Sequence, residues 1–143
     1  GGKIMRKVLI VVDMQNDFIT GALGSAEAQT IVPNVVEKEK NWNGTLLFTR
    51  DTHKDNYFDT LEGNKLPILH CVENTDGWQI IDELLPYIRH RYEIIDKYTF
   101  GLHSHGITIS SPMGKNIKGT NIFAVECTEE EINELLDILD SVK

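Results

Sequence analysis

The sequence predicts an α/β fold, a doubly wound and mostly parallel sheet with helices on both faces. Three observations predict it. Short β-branched apolar runs lack polar alternation, as strands covered on both sides do. Segments of helical periodicity separate them, which is the order of βαβ units. Each run also ends in a polar cluster: first Asp13, then Asp51 with His53, then Lys97. In an open α/β sheet the carboxyl ends of parallel strands share one edge, and ligands bind there.

The first strand is Lys7-Val8-Leu9-Ile10-Val11-Val12, ending in the polar loop Asp13-Met14-Gln15-Asn16-Asp17-Phe18. Ala26 to Trp42 reads as a helix, with Ala28, Ile31, Val32, Val35 and Val36 on one face. Pro33 predicts that this helix starts near that residue or kinks there, because proline lacks an N–H and crowds the preceding turn. Asn43-Gly44 signals its end. Thr45-Leu46-Leu47-Phe48-Thr49 is the second strand, followed by Arg50-Asp51-Thr52-His53 and a long loop from Lys54 to Leu66. Ile80, Ile81, Leu84, Leu85 and Ile88 recur at helical spacing, predicting a helix over Trp78 to Arg89. Tyr92-Glu93-Ile94-Ile95 is a third strand, ending at Asp96-Lys97.

The chain has 143 residues, the size of one domain, and is 41% hydrophobic and 25% charged. That excludes a disordered tail, a fibre and a disulfide-stapled miniprotein. Its formal net charge of -8, with no basic run, excludes nucleic acid and anionic membranes as expected partners. The two cysteines, Cys71 and Cys127, form no CxxC pair and point to a reducing compartment. The longest apolar run, Val8 to Val12, is far short of a membrane span, and no signal peptide is evident. The expectation is a cytoplasmic protein of one domain over 1–143, with residues 1–4 a tag remnant or a disordered terminus.

Asp51-x-His53 puts two metal-ligand types on one side of an extended segment, and His70 offers a third. One carboxylate and two imidazoles make a common catalytic metal set with positions left open. A pair of loop histidines, one capping Asp51, is the plainer reading. His103 and His105 form a competing alternate pair without a nearby carboxylate, and His90 beside Arg89 and Arg91 reads as a solvated helix end. Asp13 and Lys97 are either a structural salt bridge or a catalytic pair. In the second case the Asp takes a nucleophile's proton and the Lys lowers its pKa. Cys71 reads as a buried spectator, its side chain opposed to that of His70.

Four segments, in order, carry a resemblance. They are Val11-Val12-Asp13-Met14-Gln15-Asn16-Asp17-Phe18, Thr49-Arg50-Asp51-Thr52-His53, Leu66-Pro67-Ile68-Leu69-His70-Cys71 through Thr75-Asp76-Gly77-Trp78, and Lys97-Tyr98-Thr99-Phe100-Gly101. Together they resemble the isochorismatase-like cysteine hydrolases, the nicotinamidase branch above all, over residues 5–101. The resemblance implies Asp13 as general base and Lys97 as the lysine of an Asp-Lys-Cys triad. It also implies Asp51, His53 and His70 as ligands of zinc or a similar divalent ion, which would hold a pyridine nitrogen. The implied reaction is thiolate attack on the carboxamide of nicotinamide or a related small amide, loss of ammonia, and hydrolysis of the thioester. The family is commonly oligomeric, so a homo-oligomer is expected.

Beyond Gly101 the pattern changes. The family's Gly-x-x-Thr-x-x-Cys nucleophile turn is absent, and Leu102 to Gly119 has little periodicity. Asn121 to Glu126 reads as a strand, and Thr128 with Glu131 forms a capping box opening a helix. Cys127 fits two placements. It is either the nucleophile at a helix N-terminus, or part of the family's closing strand and last helix. The second implies a fold lacking one βα unit, an inactive or impaired hydrolase that binds metal or a small molecule, and an open sheet edge. Partner chains or Ile107-Thr108-Ile109 could cover that edge.

Overall fold

The computed structural model describes residues 5–88, 92–97, 115–116 and 122–128, with residues 130 and 133. Strand β1 (Met5–Val12) leads through a short helix α1 (Asn16–Ile19) to helix α2 (Ala26–Lys40) and strand β2 (Thr45–Asp51). Helix α3 (Leu61–Lys65) lies in the long loop, and strand β3 is Tyr92–Lys97. Strands β4 (Lys115–Asn116) and β5 (Ile122–Thr128) follow. The five strands form one sheet in the order β3-β2-β1-β5-β4.

The three strands read from the sequence are parallel neighbours. Val12 sits opposite Thr49, and Asp51 opposite Lys97. Asp13, Asp51 and Lys97 therefore reach the same carboxyl edge, as the alternation of strands and polar clusters predicted. Both alternating sets of the central strands are buried: Leu9, Val11, Leu46 and Phe48 on one face, Val8, Ile10 and Leu47 on the other. That double burial explains the unbroken apolar runs. The first set packs with Met14, Ile19, Val35, Ile80, Ile81 and Leu84 into one core cluster.

Two predicted helices differ from expectation. Helix α2 begins at Ala26, where the Ser25 hydroxyl accepts the Ala28 N–H at 3.0 Å, and it passes Pro33 without ending. A good N-cap and the burial of Val35 outweigh the one backbone hydrogen bond that proline removes. The helix expected over Trp78 to Arg89 is instead two 3-10 turns, Asp76–Trp78 and Asp82–Tyr87. Ile80 bridges Gln15 and the Ile81 N–H bonds the Met14 carbonyl at 3.0 Å, holding the stretch between the turns extended. Pro86 then disfavours α geometry at Leu85. The apolar spacing was real, but it records burial beneath α2 rather than an α-helix.

The edge of β1 is not left open. Strand β5 runs antiparallel along it, with Arg6 opposite Cys127 and Val11 opposite Ile122. The chain thus closes its parallel sheet by folding back, and β4 pairs antiparallel on the outside. Ile107-Thr108-Ile109, His90, His103 and His105 lie outside the described residues, as does the Thr128-Glu131 cap as a unit. Among the described residues no helix is long and apolar enough to cross a membrane.

Candidate metal centre and active site

Asp51 ends β2, and His53 follows two residues later with its N–H bonded to the Cys71 carbonyl at 2.9 Å. The β2 extension thereby pairs with the segment carrying His70, and a parallel bridge joins His53 to Val72. This pairing brings the third ligand type to the first two. Asp51, His53 and His70 are all buried, and one ligand atom from each lies within 4.8 Å of the others.

The donor chemistry of this cluster fits a cation. Nδ1 of His70 is 2.7 Å from the Ile68 carbonyl oxygen, which only accepts, so that nitrogen carries the proton. Nε2 of the same ring then faces Oδ2 of Asp51 at 3.4 Å, while Nε2 of His53 is 3.0 Å from the same oxygen. Lone pairs converging in a buried place require a second proton or a metal ion between them. The protein environment of His70 agrees. Burial alone would lower its pKa, but the hydrogen bonds that the imidazolium can donate to Asp51 and to the Ile68 carbonyl, with the charges of Asp51 and Asp17, outweigh burial and raise it. Glu62 stands 3.8 Å from Nδ1 of His53, the place of an outer carboxylate that orients a ligating imidazole.

Aromatic rings fix both imidazoles. Tyr57 meets the His53 ring edge-on at 4.6 Å and that of His70 at 5.2 Å, and Phe18 contacts His70 at 5.7 Å. The Tyr57 hydroxyl donates to the Leu66 carbonyl at 2.6 Å, and burial with the Glu62 and Asp51 carboxylates pushes its pKa up. Beside these rings a cavity of about 490 Å³ is lined by Tyr57, Leu61, Glu62, Lys65, Leu66 and His70. Leu61, Leu66 and the Tyr57 ring give it apolar walls, and Glu62, Lys65 and His70 bring polar groups to it.

Asp13 occupies a left-handed backbone conformation, φ 52°, uncommon for a residue with a side chain. Its N–H reaches both the carbonyl and the hydroxyl oxygen of Thr49 at 3.1 Å, and the Thr49 hydroxyl returns a 2.7 Å hydrogen bond to Oδ1. The neighbouring strand thus fixes a carboxylate just beyond the end of β1. Backbone strain held by surrounding contacts is common where a side chain must be aimed. The backbone of Lys97 lies at the same sheet edge.

The backbone of Cys127 lies toward the other end of β1. Its register opposite Arg6 places it near the start of β1, while Asp13 follows the end. Arg6 to Asp13 is seven positions, about 23 Å of extended chain. The antiparallel direction of β5 sets this backbone register, seven positions along β1 from the Asp13 end where the sequence expected a nucleophile. Cys71 is buried, as read from the sequence.

Gln15 and Asp17 were missed as organisers, although the polar run Gln15-Asn16-Asp17 directly after a buried strand was their signal. The Gln15 amide, fully buried, bridges the backbone of Asp51 and the carbonyl of Trp78. Trp78 in turn donates its indole N–H to Thr52 at 2.8 Å and lies beneath the Arg50 guanidinium at 3.6 Å. Arg50 also forms a bidentate pair with Asp96 on β3 at 2.6 and 3.2 Å.

One carboxyl edge of an α/β sheet thus carries a buried carboxylate–imidazole cluster that could hold a cation and an aspartate fixed just beyond β1. Comparison with known proteins gives the family. Residues 7–105 match the isochorismatase domain model, and the chain belongs to that family. The nicotinamidase of Saccharomyces cerevisiae is 28% identical over 123 residues, covering 64% of this chain and 56% of the yeast protein. Among solved structures, N-carbamoylsarcosine amidase from Thermoplasma acidophilum superposes with a TM-score of 0.54 at 28% identity, covering 66% of this chain and 53% of that one. The pyrazinamidase of Pyrococcus horikoshii in complex with zinc gives 0.50 at 37% identity, covering 65% and 52%. The chain therefore spans about half the length of these relatives, and the resemblance falls in the nicotinamidase branch.

Proposed function

We propose that this chain is a nicotinamidase-like amide hydrolase acting on nicotinamide or a related small amide. The observation that carries the reading is the buried Asp51-His53-His70 cluster at the sheet edge that Asp13 and Lys97 also reach. Zinc, present in the Pyrococcus horikoshii relative, is the proposed ion. When bound, it would supply a Lewis-acid anchor for the nitrogen of a pyridine-type ring. Asp13, held by Thr49, is proposed as the general base, and Lys97 as the cation that stabilises a developing anion. The net reaction takes an amide and water to a carboxylate and ammonium.

A second reading follows from the placement of Cys127: metal and amide are bound without turnover. One experiment separates the two. The zinc-loaded chain is titrated with nicotinamide in a calorimeter and assayed in parallel for ammonia. Release of ammonia that Asp13→Ala abolishes supports hydrolysis, and heat of binding with no ammonia supports the second reading. Neither binding nor release sinks both.

A homo-oligomer is part of the same proposal, because strand β3 at the sheet edge exposes Tyr92 and Ile94. Light scattering on the purified chain tests it. A cytoplasmic location is proposed from the two cysteines and is tested by fractionation.

A further inference from the structure

We propose that Asp17 is the positioning residue of the metal centre, acting on both histidines through the peptide groups of Cys71. The inference rests on the reading of Asp51, His53 and His70 as metal ligands. Oδ2 of Asp17 accepts the Cys71 N–H at 2.8 Å, next in sequence to His70. The carbonyl of the same residue accepts the His53 N–H at 2.9 Å. One residue thus stands between the carboxylate of Asp17 and the backbones of two ligands.

Cys71 needs such an anchor. It is buried and has φ 48°, a left-handed conformation that is unfavourable for a non-glycine residue. That geometry turns the chain so that His70 faces Asp51 while the Cys71 carbonyl still reaches His53. A hydrogen bond to a carboxylate is among the stronger kinds and suits a segment that must be held against strain.

Space is kept for the carboxylate as well. A Cβ built on Gly77 would collide with the carboxylate of Asp17, so any side chain there would force that carboxylate to move. Asp17 Oδ1 accepts the Ala22 N–H at 3.3 Å, and Asn16 and Phe18 on either side contact Asp76 and His70. Helix α1 therefore reaches the ligand-bearing loop with three consecutive side chains. Of these three side chains, that of Asp17 accepts the N–H of the strained residue.

The test is cobalt binding by the full chain, read as the d–d absorption spectrum and as zinc affinity by competition. Asp17→Ala is expected to weaken the affinity about 10–100-fold, the usual effect of removing an outer-sphere partner, and to change the spectrum. Asp17→Asn keeps an acceptor for the Cys71 N–H and should stay near the parent chain. Should Asp17→Ala fail to fold by circular dichroism, Gly77→Ala decides, because it displaces a chemically intact carboxylate. Unchanged affinity and spectrum in the deciding variant overturns the proposal, and so does Asp17→Asn losing as much as Asp17→Ala. No cobalt uptake by the parent chain, or uptake that survives His53→Ala and His70→Ala, overturns the metal reading instead.

Discussion

Gln15 and Asp51 are joined as if they were strand partners. The Asp51 N–H donates to the Gln15 side-chain oxygen at 2.9 Å, and the Gln15 amide returns a hydrogen bond to the Asp51 carbonyl at 2.8 Å. A side chain here continues the ladder at the place where the backbone of β1 turns away. The same amide nitrogen also reaches the Trp78 carbonyl at 2.8 Å, so one buried residue ties together three segments around the metal cluster.

Gln15→Leu should therefore cost more than its size suggests. It leaves the Asp51 N–H and two carbonyls buried without their partner, and each such group costs about 1–3 kcal/mol. The expected loss is roughly 3 kcal/mol or more, read from the midpoint of urea unfolding. Gln15→Glu, which keeps one acceptor but loses the donors, should fall between. A Gln15→Leu chain as stable as its parent would contradict this.

Zinc should stabilise the folded chain through Asp51, His53 and His70. At a hundredfold excess over the dissociation constant, a ligand of the folded state adds about 2.7 kcal/mol. For a chain of this size that raises Tm by several degrees, at roughly 2–4 °C per kcal/mol. His70→Ala should abolish the rise, and a chelator should reverse it in the parent chain. A zinc-induced shift that persists in His70→Ala would place the metal elsewhere.

Glu39 sets a pH dependence unrelated to the metal. It lies near the end of α2, buried, and neither carboxylate oxygen has a hydrogen-bond partner among the described residues. Burial raises its pKa from 4.5 to about 7. Between those values the folded chain keeps a proton that the unfolded chain has released. The Glu39 contribution to stability is therefore fully present below pH 4.5 and is lost as pH rises toward 7, by about 3 kcal/mol in all. Unfolding free energies from pH 4.5 to 8 should show this decline, and Glu39→Gln should flatten it. Equal slopes in the two chains would refute the assignment.

The parallel half of the fold was legible because its signal is local. Val8 to Val12 and Thr45 to Thr49 are buried on both faces, and double burial writes itself as unbroken apolar sequence. Asp51, His53 and His70 were legible as chemistry, although nothing in their spacing shows that the His53–Cys71 hydrogen bond brings them together. Trp78 to Arg89 misled because periodicity reports which side chains are buried, not which hydrogen bonds the backbone makes. There Gln15 and Met14 claim the backbone and Pro86 blocks the α-helix. The direction of β5 was illegible for a different reason. A strand's apolar pattern is the same whether it runs parallel or antiparallel, and only its register against Arg6 to Val11 decides where Cys127 falls.

That register can be tested without any activity. Antiparallel partners hold their Cα atoms about 4.5–5.5 Å apart, inside the range that a disulfide spans. Arg6 is opposite Cys127, so Arg6→Cys should form an intramolecular disulfide with Cys127 under mild oxidation, detected by mass spectrometry of the digested chain. A cysteine placed instead at Asp13 should not, since about 23 Å of extended chain separates it from position 6. The same geometry predicts that Cys127→Ala leaves zinc affinity and any ammonia release unchanged. Cross-linking from position 13 but not from position 6 would mean that β5 runs the other way, and Cys127 would return to the site as its nucleophile.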